Sequence, residues 1–248
     1  MVTSPVVLFD LDGTLVDPAG AITGGIAAAL DAHGIEVPDE QTLKSFIGPP
    51  LQTSLIALPG VTEELIPQLI DHYREGYIRE GMAASEVYPG IRELLESLRA
   101  EGALLAVATS KPEPQAVRLL EIQGLVDLFD VVSGSDLDET IPHTSKGPIL
   151  ASALERLPQA DPSAPKVMVG DRKFDVEGAA RNTMPCIGVT WGYAPEGELE
   201  AHGAAAVVSS ADELRRQITE QLDEQLDEQL GAQRTGEHAE ASAQQMTS

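Results

Sequence analysis

Val6-Val7-Leu8-Phe9-Asp10-Leu11-Asp12-Gly13-Thr14 is a short apolar, β-branched run that breaks into two acids and a glycine. Such a run ending in turn formers reads as a buried strand followed by a tight loop. Runs of the same kind recur at residues 103–108, 131–132, 167–169 and 187–189, and more weakly at 206–208. Helix-length amphipathic segments lie between them, at 90–100, 112–123, 146–157 and 175–182. This alternation predicts an α/β fold: a doubly wound parallel sheet with helices on both faces. Ligands of such sheets sit at the carboxyl ends of the strands.

Residues 18–88 break the rhythm. They hold helical patterns at 21–32, 39–46 and 63–79 with no convincing strand, Gly48-Pro49-Pro50 interrupts them, and Pro89-Gly90 closes them. They read as an all-helical cap inserted after the first strand, with hinges near 17–20 and 85–89 and a place suited to a lid. The core is then expected at 1–17 and 89–210. Residues 211–230 carry a leucine every fourth position on an acidic helix, too brief for a coiled coil. Residues 231–248 are polar and aromatic-free, and their composition predicts a disordered tail.

Sixteen Lys and Arg against 40 Asp and Glu give a formal charge of −24. That balance argues against nucleic acid and anionic membrane as partners, since both need clustered cations. An anionic ligand would need a local cation or a metal ion. The single cysteine, Cys186, allows no intrachain disulfide and reads as a buried apolar filler. No basic leader precedes the first strand and no apolar stretch reaches membrane-spanning length, so a cytoplasmic protein is expected. His33, His72, His143, His202 and His238 lack metal-ligand spacing, and no nucleotide-binding glycine fingerprint occurs.

Asp10 and Asp12, two apart on an extended chain, point to one side. Two crowded carboxylates are costly unless a cation lies between them, although a turn whose aspartates cap backbone donors is an equal reading of the pair alone. A calcium loop counted from Asp10 would need glycine at its sixth position, which is Leu15. The other strand ends add weight. Residues 103–108 run into Thr109-Ser110-Lys111, two hydroxyls suited to a phosphate oxygen. Residues 167–169 run into Gly170-Asp171-Arg172-Lys173-Phe174-Asp175, a second acidic pair, and Lys146 opens the helix between.

Phe9-Asp10-Leu11-Asp12-Gly13-Thr14-Leu15-Val16-Asp17 resembles the first signature of the haloacid dehalogenase-like (HAD) hydrolases. Thr109-Ser110, Lys146 and Gly170-Asp171-x-x-x-Asp175 resemble the second, third and fourth signatures, in order. The likeness spans about residues 5–209. Phe46-Ile47-Gly48-Pro49-Pro50-Leu51 and Gly170-Asp171-Arg172-Lys173 are similar to the phosphoglycolate phosphatase-like and bacterial 5′-nucleotidase-like branch.

The resemblance implies a Mg²⁺-dependent phosphatase acting on a small phosphorylated metabolite, such as phosphoglycolate or a nucleoside 5′-monophosphate. Asp10 would be the nucleophile that forms an aspartyl-phosphate, and Asp12 the general acid and base. Asp10, the Asp12 backbone carbonyl and Asp171 would hold the metal, with Asp175 as an outer partner. Thr109, Ser110 and Lys146 would bind phosphate. Arg172, where serine is common in relatives, contacts the cap or substrate, or else merely pairs with a surface acid. Gly48-Pro49-Pro50 is a specificity loop or an ordinary helix break. A phosphomutase of the β-phosphoglucomutase type and a non-catalytic phosphate-binding scaffold are the alternatives, and either a monomer or a homodimer is compatible with the acidic helix.

Overall fold

The computed structural model describes residues 4–18, 20–136, 146–158 and 161–245, with side chains through 231. Position 19 in the first expected hinge, His143, the side chain of His238 and the last three residues of the expected tail lie outside the described residues. The strand β1 (Val6–Phe9) is buried at all four positions. Its side chains alternate across the sheet: Val7 and Phe9 enter one apolar cluster, Val6 and Leu8 the other. A strand covered on both faces must be apolar throughout, which is why this run carries no polar residue.

Two residues, β2 (Val16–Asp17), pair antiparallel with β3 (Glu86–Val87) and so close the base of the helical insert. The insert contains α1 (Ala21–Ala32), α2 (Glu40–Ser45), α3 (Leu51–Ile56) and α4 (Ile66–Gly76), then a π-helical turn at Tyr77–Gly81 and α5 (Met82–Ala84). The two-residue strand inside 18–88 corrects the strand-free reading; a run that short has no measurable period. Asp39 caps α2 by accepting from the Thr42 amide at 2.8 Å. Pro50 is the N-cap of α3, so Gly48-Pro49-Pro50 does end one helical piece and start another.

The chain then gives α6 (Ile91–Ala100), β4 (Leu104–Pro112), α7 (Glu113–Ile122), β5 (Val131–Ser135), α8 (Gly147–Arg156), β6 (Lys166–Gly170), α9 (Lys173–Arg181), β7 (Cys186–Val189), α10 (Glu198–Ala201), β8 (Ala206–Val208) and α11 (Ala211–Gln245). Six strands form one parallel sheet in the order β5-β4-β1-β6-β7-β8. Helices α6, α7 and α11 cover one face, through Leu94, Leu119 and Ile218; α8 and α9 cover the other, through Leu150 and Val176. The doubly wound architecture is the one the alternation predicted. Strand order reverses at β1, and that reversal opens the crevice where such sheets bind ligands.

Two boundaries differ from expectation. β4 continues past residue 108 to Pro112 with a register shift against β5, carrying Thr109 and Ser110 inside the strand. Helix α11 runs on to Gln245, where a disordered stretch from 231 was expected; alanine, glutamate and glutamine are all good helix formers and let the helix continue. Among the described residues no helix is long and apolar enough to cross a membrane. Cys186 is buried with a free thiol, as its strand position predicted.

Candidate active site

The registers of β1 set the site. Phe9 lies level with Val107 on β4 and Val169 on β6, so Asp10, the far end of β4 and the residues after β6 lie along one edge. Asp10 is 4% exposed. Its Oδ1 accepts from the Leu11 amide at 2.7 Å, and its Oδ2 lies 2.6 Å from the Lys146 ammonium. Lys146, the N-cap residue of α8, also pairs with Asp175 in the first turn of α9. The second oxygen of Asp175 accepts from the Arg172 amide at 3.0 Å. Asp171 is fully buried and accepts from the Tyr193 amide at 2.8 Å and the Thr14 hydroxyl at 3.3 Å.

Carboxylate oxygens of Asp10, Asp171 and Asp175 all lie within 4.8 Å of one another. When ionised, the three carry more negative charge than the single Lys146 ammonium balances. Burial, reinforced by Asp175 and Asp10, pushes the Asp171 carboxyl well above the usual carboxylate range. Burial raises Asp175 as well, against the pull of Lys146. For Lys146, burial disfavours the charge, but Asp10 and Asp175 outweigh it and hold the ammonium protonated. A buried set of hard oxygen donors short of positive charge fits a divalent cation such as Mg²⁺.

The Asp12 carboxylate is not part of this cluster. Its Oδ2 lies 2.9 Å from the Lys111 ammonium, while its buried Oδ1 has no hydrogen-bond partner among the described residues. Burial, reinforced by Asp10, raises its pKa against the pull of Lys111 and Lys146. Lys111 also contacts Tyr77, with the hydroxyl at 3.2 Å and the ring centroid at 4.4 Å. The π-helical turn carries Tyr77, so this contact joins the insert to the sheet edge. Tyr73 stacks on Tyr77 at 5.7 Å.

Above these groups opens a cleft of about 650 Å³ including its mouth. Asp10, Asp12, Thr109 and Ser110 line it from the sheet edge, and Phe46 and Tyr73 from the insert. The structure therefore brings Asp10, Asp171, Asp175 and Lys146 together, and sets Asp12, Thr109 and Ser110 along the same cleft. Asp175 stands inside the carboxylate cluster. The Thr109 hydroxyl accepts from the Lys111 amide at 3.2 Å, while Pro112 takes the N-cap position of α7. Arg172 reaches the insert, and the acid it pairs with, Glu198, is largely buried and no surface residue.

The sequence profile described as haloacid dehalogenase-like hydrolase matches residues 7–189, most of the chain, with Asp10, Lys146, Asp171 and Asp175 inside the match. The chain belongs to the haloacid dehalogenase-like hydrolase family. Within that family its relatives include a protein named 5′-nucleotidase from Pseudomonas aeruginosa, 40% identical over 80% of this chain and 88% of that one. A protein named tyrosine-protein kinase PtkA from Mycobacterium tuberculosis is 38% identical over 86% of this chain and 72% of its own length. Among solved structures, a predicted phosphatase from Clostridium acetobutylicum superposes with a TM-score of 0.80 at 40% identity, covering 89% of this chain and all of that one.

The sequence reading of this HAD-like hydrolase missed the partners that shape the cluster. Trp191 donates from its indole to the Thr14 carbonyl at 3.1 Å, and Tyr193 donates from its hydroxyl to Asp17 at 3.1 Å. The loop after β7 thus lies over the loop after β1. Its one visible signal was Trp191, the sole tryptophan, next to Gly192 just past a strand end. The Lys111–Tyr77 contact was likewise missed, because no motif links a lysine in a strand to a tyrosine in a distant helical turn.

Gly13, at φ +83°, has no room for a side chain: a Cβ there would overlap the Asp171 carboxylate and come 2.9 Å from the Tyr193 ring. Gly13→Ala should lower stability by about 3 kcal/mol through strain and overlap together. Urea unfolding of the two proteins measures this.

Proposed function

We propose that this HAD-like hydrolase is a Mg²⁺-dependent phosphomonoesterase for small metabolite phosphates, working through an aspartyl-phosphate. One observation carries the reading: Asp10 stands at the strand end with both oxygens held, between a carboxylate cluster suited to a cation and a cleft edged by Thr109 and Ser110. Asp10, Asp171 and the Asp12 backbone carbonyl would hold the ion, with Asp175 and Lys146 beside them. Once bound, Mg²⁺ would offset the charge of the substrate phosphate next to an anionic nucleophile. Without such help two unit charges about 4 Å apart repel by about 4 kcal/mol at an effective dielectric near 20.

In the first step an Asp10 carboxylate oxygen bonds to phosphorus as the ester oxygen leaves, and the leaving oxygen takes the Asp12 proton. In the second, Asp12 accepts a proton from water, the water oxygen bonds to phosphorus, and Asp10 is released. Lys146 keeps Asp10 oriented, and the hydroxyls of Thr109 and Ser110 donate to phosphate oxygens. The lone oxygen of Asp12 and its raised pKa support the acid role. The relative named 5′-nucleotidase supports nucleoside 5′-monophosphates as substrates, beside phosphoglycolate.

Phosphate release from p-nitrophenyl phosphate, phosphoglycolate and a set of nucleoside 5′-monophosphates, with Mg²⁺ or with EDTA, tests the reading. Asp12→Asn should cost about 10²- to 10⁴-fold in kcat, least on p-nitrophenyl phosphate, whose leaving group scarcely needs a proton. No Mg²⁺-dependent release on any ester would sink the proposal. The relative named as a tyrosine kinase favours a second reading, phosphoryl transfer to protein tyrosine. Labelled phosphate moving from ATP to a tyrosine peptide faster than to water would put that reading first. Sugar-phosphate isomerisation outpacing release would instead indicate a mutase.

A further inference from the structure

Arg172 follows Asp171 and is 5% exposed, yet its side chain turns away from the acidic cluster. One guanidinium nitrogen donates to the Ile47 carbonyl, in the insert. Nε donates to Glu198 at 2.9 Å, and Glu198 also accepts from the Lys173 amide at 3.1 Å. Gly48, at φ +106°, packs flat on the same side chain: a Cβ there would come 3.0 Å from Arg172 Cγ. Residues 46–51 form a wall of the cleft above Asp10. On the other side of the guanidinium a separate opening is bounded by Lys44 and Ser45 of the insert and by Tyr193 of the core. Arg172 therefore lines the second opening while its side chain holds Ile47 and Gly48, which line the first.

From this arrangement we infer that Arg172 is a positioning residue that seats the insert's 47–50 loop against the sheet edge. The peptide that carries Asp171 also carries the side chain that grips the cleft wall. The distance between the phosphate end and the wall facing the leaving group is thereby set by one residue. Glu198 makes the grip sustainable, because a buried guanidinium without a carboxylate partner is strongly unfavourable. A charged donor to a carbonyl is also stronger than a neutral one. Gly48 belongs to the same device, since a Cβ there would crowd the arginine stem and its positive φ strains other residues. The inference rests on the hydrolase reading of the site and adds what fixes its substrate wall.

The test compares wild type, Arg172→Ala, Arg172→Lys and Glu198→Gln as full-length proteins. A nucleoside 5′-monophosphate and Mg²⁺ serve for kinetics, and hydrogen exchange of the amides in 46–51 is measured without substrate. Arg172→Ala should raise KM about tenfold or more with kcat within about threefold, and speed exchange in that loop, as expected for lost binding geometry. Glu198→Gln should shift both readouts the same way by less, and added guanidinium ion should lower KM for Arg172→Ala alone. Arg172→Lys covers the case in which the alanine variant does not fold, and it too should raise KM. Unchanged KM and unchanged exchange in folded variants overturn the inference, as does a kcat loss at constant KM, the pattern of a merely structural residue. Absence of turnover in wild type would count against the hydrolase reading instead, and the exchange data would still decide whether Arg172 seats the loop.

Discussion

Asp10→Asn abolishes phosphoester turnover, lowering kcat by at least about 10⁴-fold, while the protein stays folded. The amide oxygen of asparagine can still accept from the Leu11 amide, but its neutral group is a poor nucleophile toward phosphorus. Stability should hold or rise slightly, because the change removes one of three carboxylates crowded within 4.8 Å. Phosphate release and a thermal melt on the same preparation separate the two effects. A variant with kcat within tenfold of wild type would mean that another group attacks phosphorus.

Lys146→Met strikes both stability and activity. The side chain of Lys146 is 2% exposed and pairs with Asp10 and Asp175, so its loss strands two buried carboxylates. Breaking such a buried pair costs about 3–5 kcal/mol, which for a chain of this size lowers the melting midpoint by roughly 10 °C. The deficit has a sign with pH. Without the ammonium, nothing offsets the burial that already raises the Asp175 carboxyl above its unfolded value. The destabilisation is therefore largest at neutral pH and shrinks as acid lets that carboxyl take up a proton. Melting curves from pH 5 to 8 measure this, and a deficit independent of pH would argue against an electrostatic role.

How much of this was legible in the sequence follows from what periodicity and motif spacing encode. Val6–Phe9 was read to the residue, because a strand buried on both faces is a continuous apolar run that ends where polar residues begin; Ala206–Val208, half-buried at the sheet edge, was read from its short β-branched run. The end of β4 was not, since Thr109, Ser110 and Lys111 are polar and the strand continues there only through pairing with β5. The antiparallel pair at Val16–Asp17 and Glu86–Val87 joins segments about seventy residues apart, and neither segment is long enough to announce itself. Helix α3 hid behind two prolines.

In the site, Asp10, Asp171, Asp175 and Lys146 were findable because each directly follows a strand or opens a helix at the ligand edge. Lys111 with Tyr77, and Arg172 with Ile47, depend on how the insert docks, which no local pattern specifies.

The most direct test is to mix the protein with Mg²⁺ and a ³²P-labelled phosphate ester, quench in acid within one turnover, and map the labelled peptide. Label on the Asp10 peptide, approaching one per chain and lost with EDTA or in Asp10→Asn, is the predicted result. Phosphate released with no covalent label, or label on a different residue, would contradict the account.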